Sequence, residues 1–339
     1  MQISTFISVG ENIHCTRIYK VDGRYVKPSE GGKYVIHYQS SGKPRRLAVP
    51  ENFMESADWE AGKVKHCAVA IWQANYGDDD GRSAGNDYLR SLAKSQETNG
   101  ASYLDINVDE FSTDVEERKK LMRATIETVQ DSVSIPMSID SSNVDILREG
   151  LHACDTARGK PMVNSVSLER ADVIEAAAEF GAVIIASASG EKDMPQTTDD
   201  RLANLGRLMP KLVEAGFDNP SIHVDPLVVP ISVDGSNGRT FLDAVSAVRK
   251  TYGDEIHIVA GLSNVSFGMP KRKLINQVFS YLAVQAGADG GIVDPRQINV
   301  EQLNTIDPES EPFKLAKALL LGEDEFGMNY ITAAREGNI

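Results

Sequence analysis

The sequence predicts a closed (β/α)8 barrel, and three observations predict it. Short apolar runs of strand type recur eight times and alternate with amphipathic stretches of helical length, the pattern of parallel β/α architecture. Eight such units over roughly 300 residues favour closure into a barrel over an open, doubly wound sheet. The phosphate loops of open nucleotide-binding sheets are missing: neither G-x-G-x-x-G after the first strand nor G-x-x-x-x-G-K-[ST] occurs. The chain 1–339 is expected to be one domain, with an insertion at about 19–76 and a C-terminal tail at about 300–339.

Taken in order, residues 3–10 read as the first strand and run into Glu11-Asn12-Ile13-His14. The following segment is glycine-rich, charged and aromatic; its 33–39 run and the turn at 40–44 predict an inserted β-hairpin after the first strand. Asp78-Asp79-Asp80-Gly81 reads as a turn or exposed loop, without the further ligands and glycine spacing of a calcium loop. From residue 85 the alternation is regular. Helices are expected over 86–96, 116–130, 143–154, 168–180, 200–215, 239–252 and 271–286. Asn143 stands as an N-cap and Pro270 suits the first turn of the last of these helices. Strands are expected over 101–107, 135–140, 161–166, 182–187, 221–225, 255–260 and 290–295. In the tail, 313–321 reads as helical and is followed by the acidic Gly322-Glu323-Asp324-Glu325, an edge or interface element.

Bulk chemistry narrows the function classes. Hydrophobic content of 41% with 25% charged residues is enough for a large core. Lys and Arg number 35 against 49 Asp and Glu, a net charge of −14, which argues against a general nucleic-acid binder. Cys15, Cys67 and Cys154 are far apart, and an odd count without a signal peptide fits buried thiols in a reduced, cytoplasmic protein. No apolar run approaches the ~18 residues of a membrane span.

The candidate site lies in how the strands end. One mouth of such a barrel would collect Glu11 and Asn12, Asp105 and Asn107, Asp140 and Asn143, Asn164, Ser187, Asp225, Ser263 and Asn264, and Asp294. The set is rich in carboxylates and amides and nearly free of cations, so it does not read as a phosphate clamp. It holds no His pair at i, i+4 for a metal and no nucleophile elbow. Such a mouth can grip a heteroaromatic ring by its hydrogen-bonding edge: an amino group beside a ring N–H matches a carboxylate, and amides serve mixed donors and acceptors. Any one of these residues could instead cap a helix or turn, as Asn143 could. At five matching strand ends together, function is the better reading.

Leu104-Asp105-Ile106-Asn107, Asp140-Ser141-Ser142-Asn143, Met162-Val163-Asn164-Ser165, Asp225-Pro226-Leu227 and Gly261-Leu262-Ser263-Asn264-Val265-Ser266 resemble, in order and position, the pterin-binding barrels over about 85–295. In particular they resemble the methyltetrahydrofolate:corrinoid methyltransferases. The resemblance implies a pterin-binding type of barrel in which Asp105, Asn143 and Asp225 grip the pterin ring and Asn264 hydrogen-bonds near its methyl-bearing N5. The implied pterin set is Glu11, Asp105, Asn107, Asp140, Asn143, Asn164, Asp225, Ser263 and Asn264, with Asn264 and Asp225 catalytic. It further implies tetrahydrofolate or 5-methyltetrahydrofolate as substrate, a corrinoid (cobalamin) carried on a partner corrinoid protein as methyl donor or acceptor, and a homodimer. No metal need bind this chain. Two departures stand out: Phe267 occupies a place where some members carry a pterin-contacting Gln, and the 19–76 insertion is long. Dihydropteroate synthases are the alternative enzyme class, but their basic loops are replaced here by Asn107–Asp114 and by Ser263-Asn264-Val265-Ser266. A non-catalytic pterin-binding subunit is the other alternative, and the presence of both Asp225 and Asn264 weighs against it.

Overall fold

The computed structural model describes residues 2–339, apart from the side chain of Glu30. Eight strands form the barrel: β1 (Ile7–His14), β2 (Tyr103–Asn107), β3 (Met137–Asp140), β4 (Met162–Val166), β5 (Val183–Ser187), β6 (Ile222–Asp225), β7 (His257–Ala260) and β8 (Gly290–Val293). They close in the order β1-β8-β7-β6-β5-β4-β3-β2. Strands covered on both faces read as continuous apolar runs: all five residues of β5, Val-Ile-Ile-Ala-Ser, are buried. The predicted fold class is therefore observed. The chain packs as two compact units, one of residues up to Val9, Asn99–Ser102 and Met162–Ile339, the other of Gly10–Thr98 and Tyr103–Pro161.

The second of these units carries the insertion, which is more than the expected hairpin. Tyr34–Ser40 and Lys43–Ala48 pair antiparallel, and Val26–Pro28 adds a third strand. Ser40 pairs with Lys43, so Ser41 and Gly42 form a two-residue loop with φ of 49° and 73°, the positive values that match a hairpin's twist. Ile18–Lys20 pairs with Lys63–Lys65. The excursion rests on the helix Asp79–Thr98, with the Tyr38 hydroxyl donating to Asp87 at 2.8 Å and the Tyr88 hydroxyl 2.9 Å from His66 Nδ1. That helix corrects the sequence reading. Asp78-Asp79-Asp80-Gly81 is its first turn, with Asp78 Oδ1 accepting from the Gly81 N–H at 2.8 Å, because acids near a helix N-terminus satisfy free N–H groups.

In the first unit β1 begins four residues later than expected. Residues 3–6 leave the ladder because the Asn304 amide both donates to and accepts from the Ile3 backbone, at 2.8 Å each. Two more boundaries move: the helix expected over 168–180 is confined to Asp172–Glu179, and the last expected helix starts at Arg272, after Pro270 rather than around it. The tail helices Glu311–Leu320 and Met328–Glu336 pack as an edge layer. Phe313 meets Tyr281 edge-on at 5.7 Å, and Gly238 lies so close to the Leu320 carbonyl that a Cβ there would be 2.2 Å from it.

β8 contains two glycines for a steric reason. A Cβ on Gly290 would lie 2.0 Å from the Ile7 carbonyl oxygen, and one on Gly291 would lie 2.5 Å from Leu262. Backbone cannot yield as a side-chain tip can. Gly290→Ala is expected to lower unfolding free energy by about 3 kcal/mol, read as a reduced urea midpoint at unchanged m-value.

Candidate functional site

In the unit holding β2 and β3, the predicted residues are held by neighbours in adjacent strands and loops. Asp105, 2% exposed, accepts from the Ser138 hydroxyl at 2.7 Å. Asn107 Oδ1 accepts from the Asp109 N–H at 3.0 Å and lies 3.6 Å from Cys15 Sγ. Asn143 does cap its helix: Oδ1 accepts from the N–H groups of Asp145 and Ile146 at 2.9 and 3.2 Å, a use that leaves the Nδ2 donor for other work. Asp109, which the sequence reading did not single out, accepts from Ser141 and from the Ser142 hydroxyl and N–H at 2.6–2.8 Å, and so fixes the β3 loop. Glu11 lies within β1, paired with Arg17 at 2.7 Å. Asp140 lies 3.7 Å from His14, whose pKa is lowered to about 4 by burial and by Arg17, so the ring is neutral and the pair is no salt bridge at pH 7.

In the other unit, Asp225 and Asn264 come together around Gly261. Asp225 ends β6 with a partly exposed side chain and lies in register beside Ser187 of β5. Its carboxylate accepts from the Leu227 N–H at 2.8 Å and from the Gly261 N–H. Burial holds its pKa up, at about 6, against the downward pull of those two N–H groups and of Arg201. Asn264 lies in a 3-10 turn, Leu262–Ser266, where the sequence suggested a loop. Its side chain is exposed and makes no hydrogen bond within the described protein, with Nδ2 packed over Gly261 so that a Cβ there would be 2.8 Å away. Ser263 is buried, and its carbonyl accepts from Arg272 Nη2 at 2.9 Å. Phe267 is 55% exposed with the Arg272 guanidinium 4.6 Å over its ring. Asn164 sits in β4 at a register shift that leaves Ser165 out of the ladder.

The strand ends are less free of cations than expected. Arg17 holds Glu11, Arg296 chelates Asp294 at 2.8 and 2.9 Å, and Arg201 lies behind Asp225. Asp294 is thereby committed to its own loop. No sequence signal marked Arg201, because its contacts are with backbone carbonyls about one β/α unit away. Gly261 was legible as part of the quoted motif, but its role as the spacer between Asp225 and Asn264 was not. Among the described residues no cluster of three His, Cys, Asp or Glu side chains could hold a metal ion. The thiols are unreactive by environment: burial pushes Cys15 up to about 11, Cys154 up to about 12, and Cys67 further still. No helix of the described residues is long and apolar enough to cross a membrane.

A family profile described as pterin binding enzyme matches residues 78–294, from the start of the helix before β2 to the acid that follows β8. The chain belongs to the pterin-binding enzyme family. It is 30% identical over 258 residues to the methylcorrinoid:tetrahydrofolate methyltransferase of Eubacterium limosum, covering 74% of this chain and 89% of that one. Among the solved structures that share the fold are two dihydropteroate synthases. One is a dihydropteroate synthase from Xanthomonas albilineans in complex with 7,8-dihydropteroate (TM-score 0.51, 17% identity, 71% of this chain and 88% of that one). The other is the Yersinia pestis DHPS with a pterine-sulfa conjugate (TM-score 0.51, 18% identity, 69% and 88%). At such identity these two speak for the fold alone.

The close approach of the Asn264 amide to Gly261 can be tested. Gly261→Ala would push the Asn264 amide aside without disturbing backbone. The variant is expected to keep its melting temperature and lose about tenfold in turnover, checked by calorimetry beside steady-state kinetics.

Proposed function

We propose that this chain is a methyltransferase that moves a methyl group between N5 of a tetrahydrofolate-type pterin and the cobalt of a corrinoid carried on a partner protein. The observation that carries the reading is the Asp225–Gly261–Asn264 arrangement: a carboxylate fixed by two backbone N–H groups beside an exposed amide with no protein partner. It is supported by the 30% identity to a methylcorrinoid:tetrahydrofolate methyltransferase. Asp225 accepts from the amino and ring N–H edge of the pterin, where a forked, charge-assisted pair orients the ring. Asp105, Asn107, Asn143, Glu11, Asp140, Asn164 and Ser263 complete the pterin-binding set on the matched motifs.

Asn264 acts at N5. When N5 gives up its methyl group to the reduced cobalt, the C–N bonding pair stays on nitrogen; a hydrogen bond donated by Asn264 Nδ2 stabilises that developing charge in the transition state, and a proton from solvent completes N5–H. When N5 accepts a methyl group, the same amide orients the nitrogen lone pair and the N5 proton leaves to solvent. The corrinoid, as substrate, supplies a strongly nucleophilic reduced cobalt or a transferable methyl group; this chain supplies position and hydrogen bonds. A synthase that expels pyrophosphate would want cations on the loop after β2, whereas that loop carries Asp109, Glu110 and Asp114.

The test mixes purified protein with methylcob(III)alamin and tetrahydrofolate, and separately cob(I)alamin with 5-methyltetrahydrofolate, following the methyl-cobalt absorption. Enzyme-dependent change in either mixture supports the proposal. No change with free cobalamin or with added corrinoid protein, and no tetrahydrofolate binding by calorimetry, would overturn it.

A further inference from the structure

Arg201, on the helix Thr198–Glu214, is 2% exposed, yet every hydrogen bond it makes is to a backbone carbonyl. Its Nε donates to Pro226 O at 2.6 Å, Nη2 to Leu227 O at 3.4 Å and Nη1 to Thr197 O at 3.0 Å. A buried guanidinium without a contacting carboxylate is an expensive way to pack a helix, and a Leu or Met would serve packing better. Thr197 caps its own helix, and the other two carbonyls belong to the turn that follows β6. There Leu227 adopts φ of 68°, a left-handed conformation that a branched apolar residue rarely occupies. That turn aims the Leu227 N–H at Asp225 Oδ1.

We propose that Arg201 is a positioning residue for Asp225: its fork locks Pro226 and Leu227 in the strained turn that presents the carboxylate to the pterin. The inference rests on the pterin-site reading given above. The guanidinium also bears electrostatically on the carboxylate. Asp225 is faced by the Leu227 N–H from its own loop, by Gly261 from the end of β7, by uncharged Ser187 from β5, and by Arg201 from the helix, with Asp200 beside that arginine. Arg201 is thus the one formal charge acting on Asp225, and it favours the ionised form.

Arg201→Met and Arg201→Lys separate shape from charge in the full-length protein. Tetrahydrofolate affinity by calorimetry and the pH dependence of methyl transfer are read for both, beside Asp225→Asn. The methionine variant is expected to lose about tenfold in kcat/KM at pH 8 and to move the acid limb upward by about one pH unit. The lysine variant keeps the charge without the fork, so its acid limb stays put while tetrahydrofolate affinity falls about tenfold. Wild-type affinity and an unmoved limb in both variants would overturn the proposal while an impaired Asp225→Asn leaves the pterin site standing. Should the methionine variant not fold, undiminished affinity and turnover in the lysine variant are enough to overturn it. An Asp225→Asn protein that binds and turns over like wild type removes the pterin-site reading itself, and the role of Arg201 with it.

Discussion

Replacing Asp225 with Asn is expected to weaken tetrahydrofolate binding about a hundredfold, the loss of roughly 2–3 kcal/mol that attends removal of a charged hydrogen-bond acceptor. The amide keeps the volume but offers one acceptor oxygen in place of two, and its NH2 group faces a donor where the other carboxylate oxygen had accepted. The pH dependence carries a sign. Asp225 has its pKa raised from 3.8 to about 6, principally by burial, and in the proposed site the ionised form is the one that accepts from the pterin donors. Wild-type affinity should therefore be full at pH 8 and decline as pH falls through about 6, well above the range in which an ordinary aspartate would matter. The Asp225→Asn protein should bind weakly at all these pH values and lack that limb. Calorimetric titration across pH 5–8 checks both statements; a limb that survives the substitution belongs to another group.

Asn264→Ala is expected to reduce turnover about a hundredfold or more while leaving the melting temperature where it was. The two halves of this expectation have separate causes. The side chain is exposed and bonded to nothing in the described protein, so its removal breaks no internal contact and stability should change by under about 0.5 kcal/mol. A single donor aimed at developing charge, by contrast, is worth about 10²–10³ in rate. If the amide acts in the transition state, kcat falls more than the tetrahydrofolate dissociation constant rises. Single-turnover spectra of the cobalamin reaction, with calorimetric binding beside them, resolve the two. Equal losses in kcat and affinity would mean that Asn264 merely holds the ring.

Much of this was legible before any coordinates. The alternation of apolar runs with helical stretches identified all eight barrel strands, since strand and helix periods are properties of neighbouring residues. The motifs containing Asp105, Asn143, Asp225 and Asn264 pointed to the pterin-binding family, and the Asn143 cap was found where expected. Where the local reading slipped, structure outside the short segment being read was responsible. Residues 3–6 left β1 because Asn304 captures the Ile3 backbone, and Asp78–Gly81 became helix because a helix N-terminus supplies N–H groups that an isolated turn lacks.

The electrostatics of the site belong to the folded chain. That Asp225 titrates near 6, that Gly261 spaces it from Asn264, and that Arg201 clasps the Leu227 turn all depend on segments tens of residues apart meeting at strand ends. Sequence pattern reports which side chains face which way within one element. It carries no record of which backbone carbonyl a buried arginine will find, or of how much water a carboxylate will lose, because both are set by the packing of several elements at once.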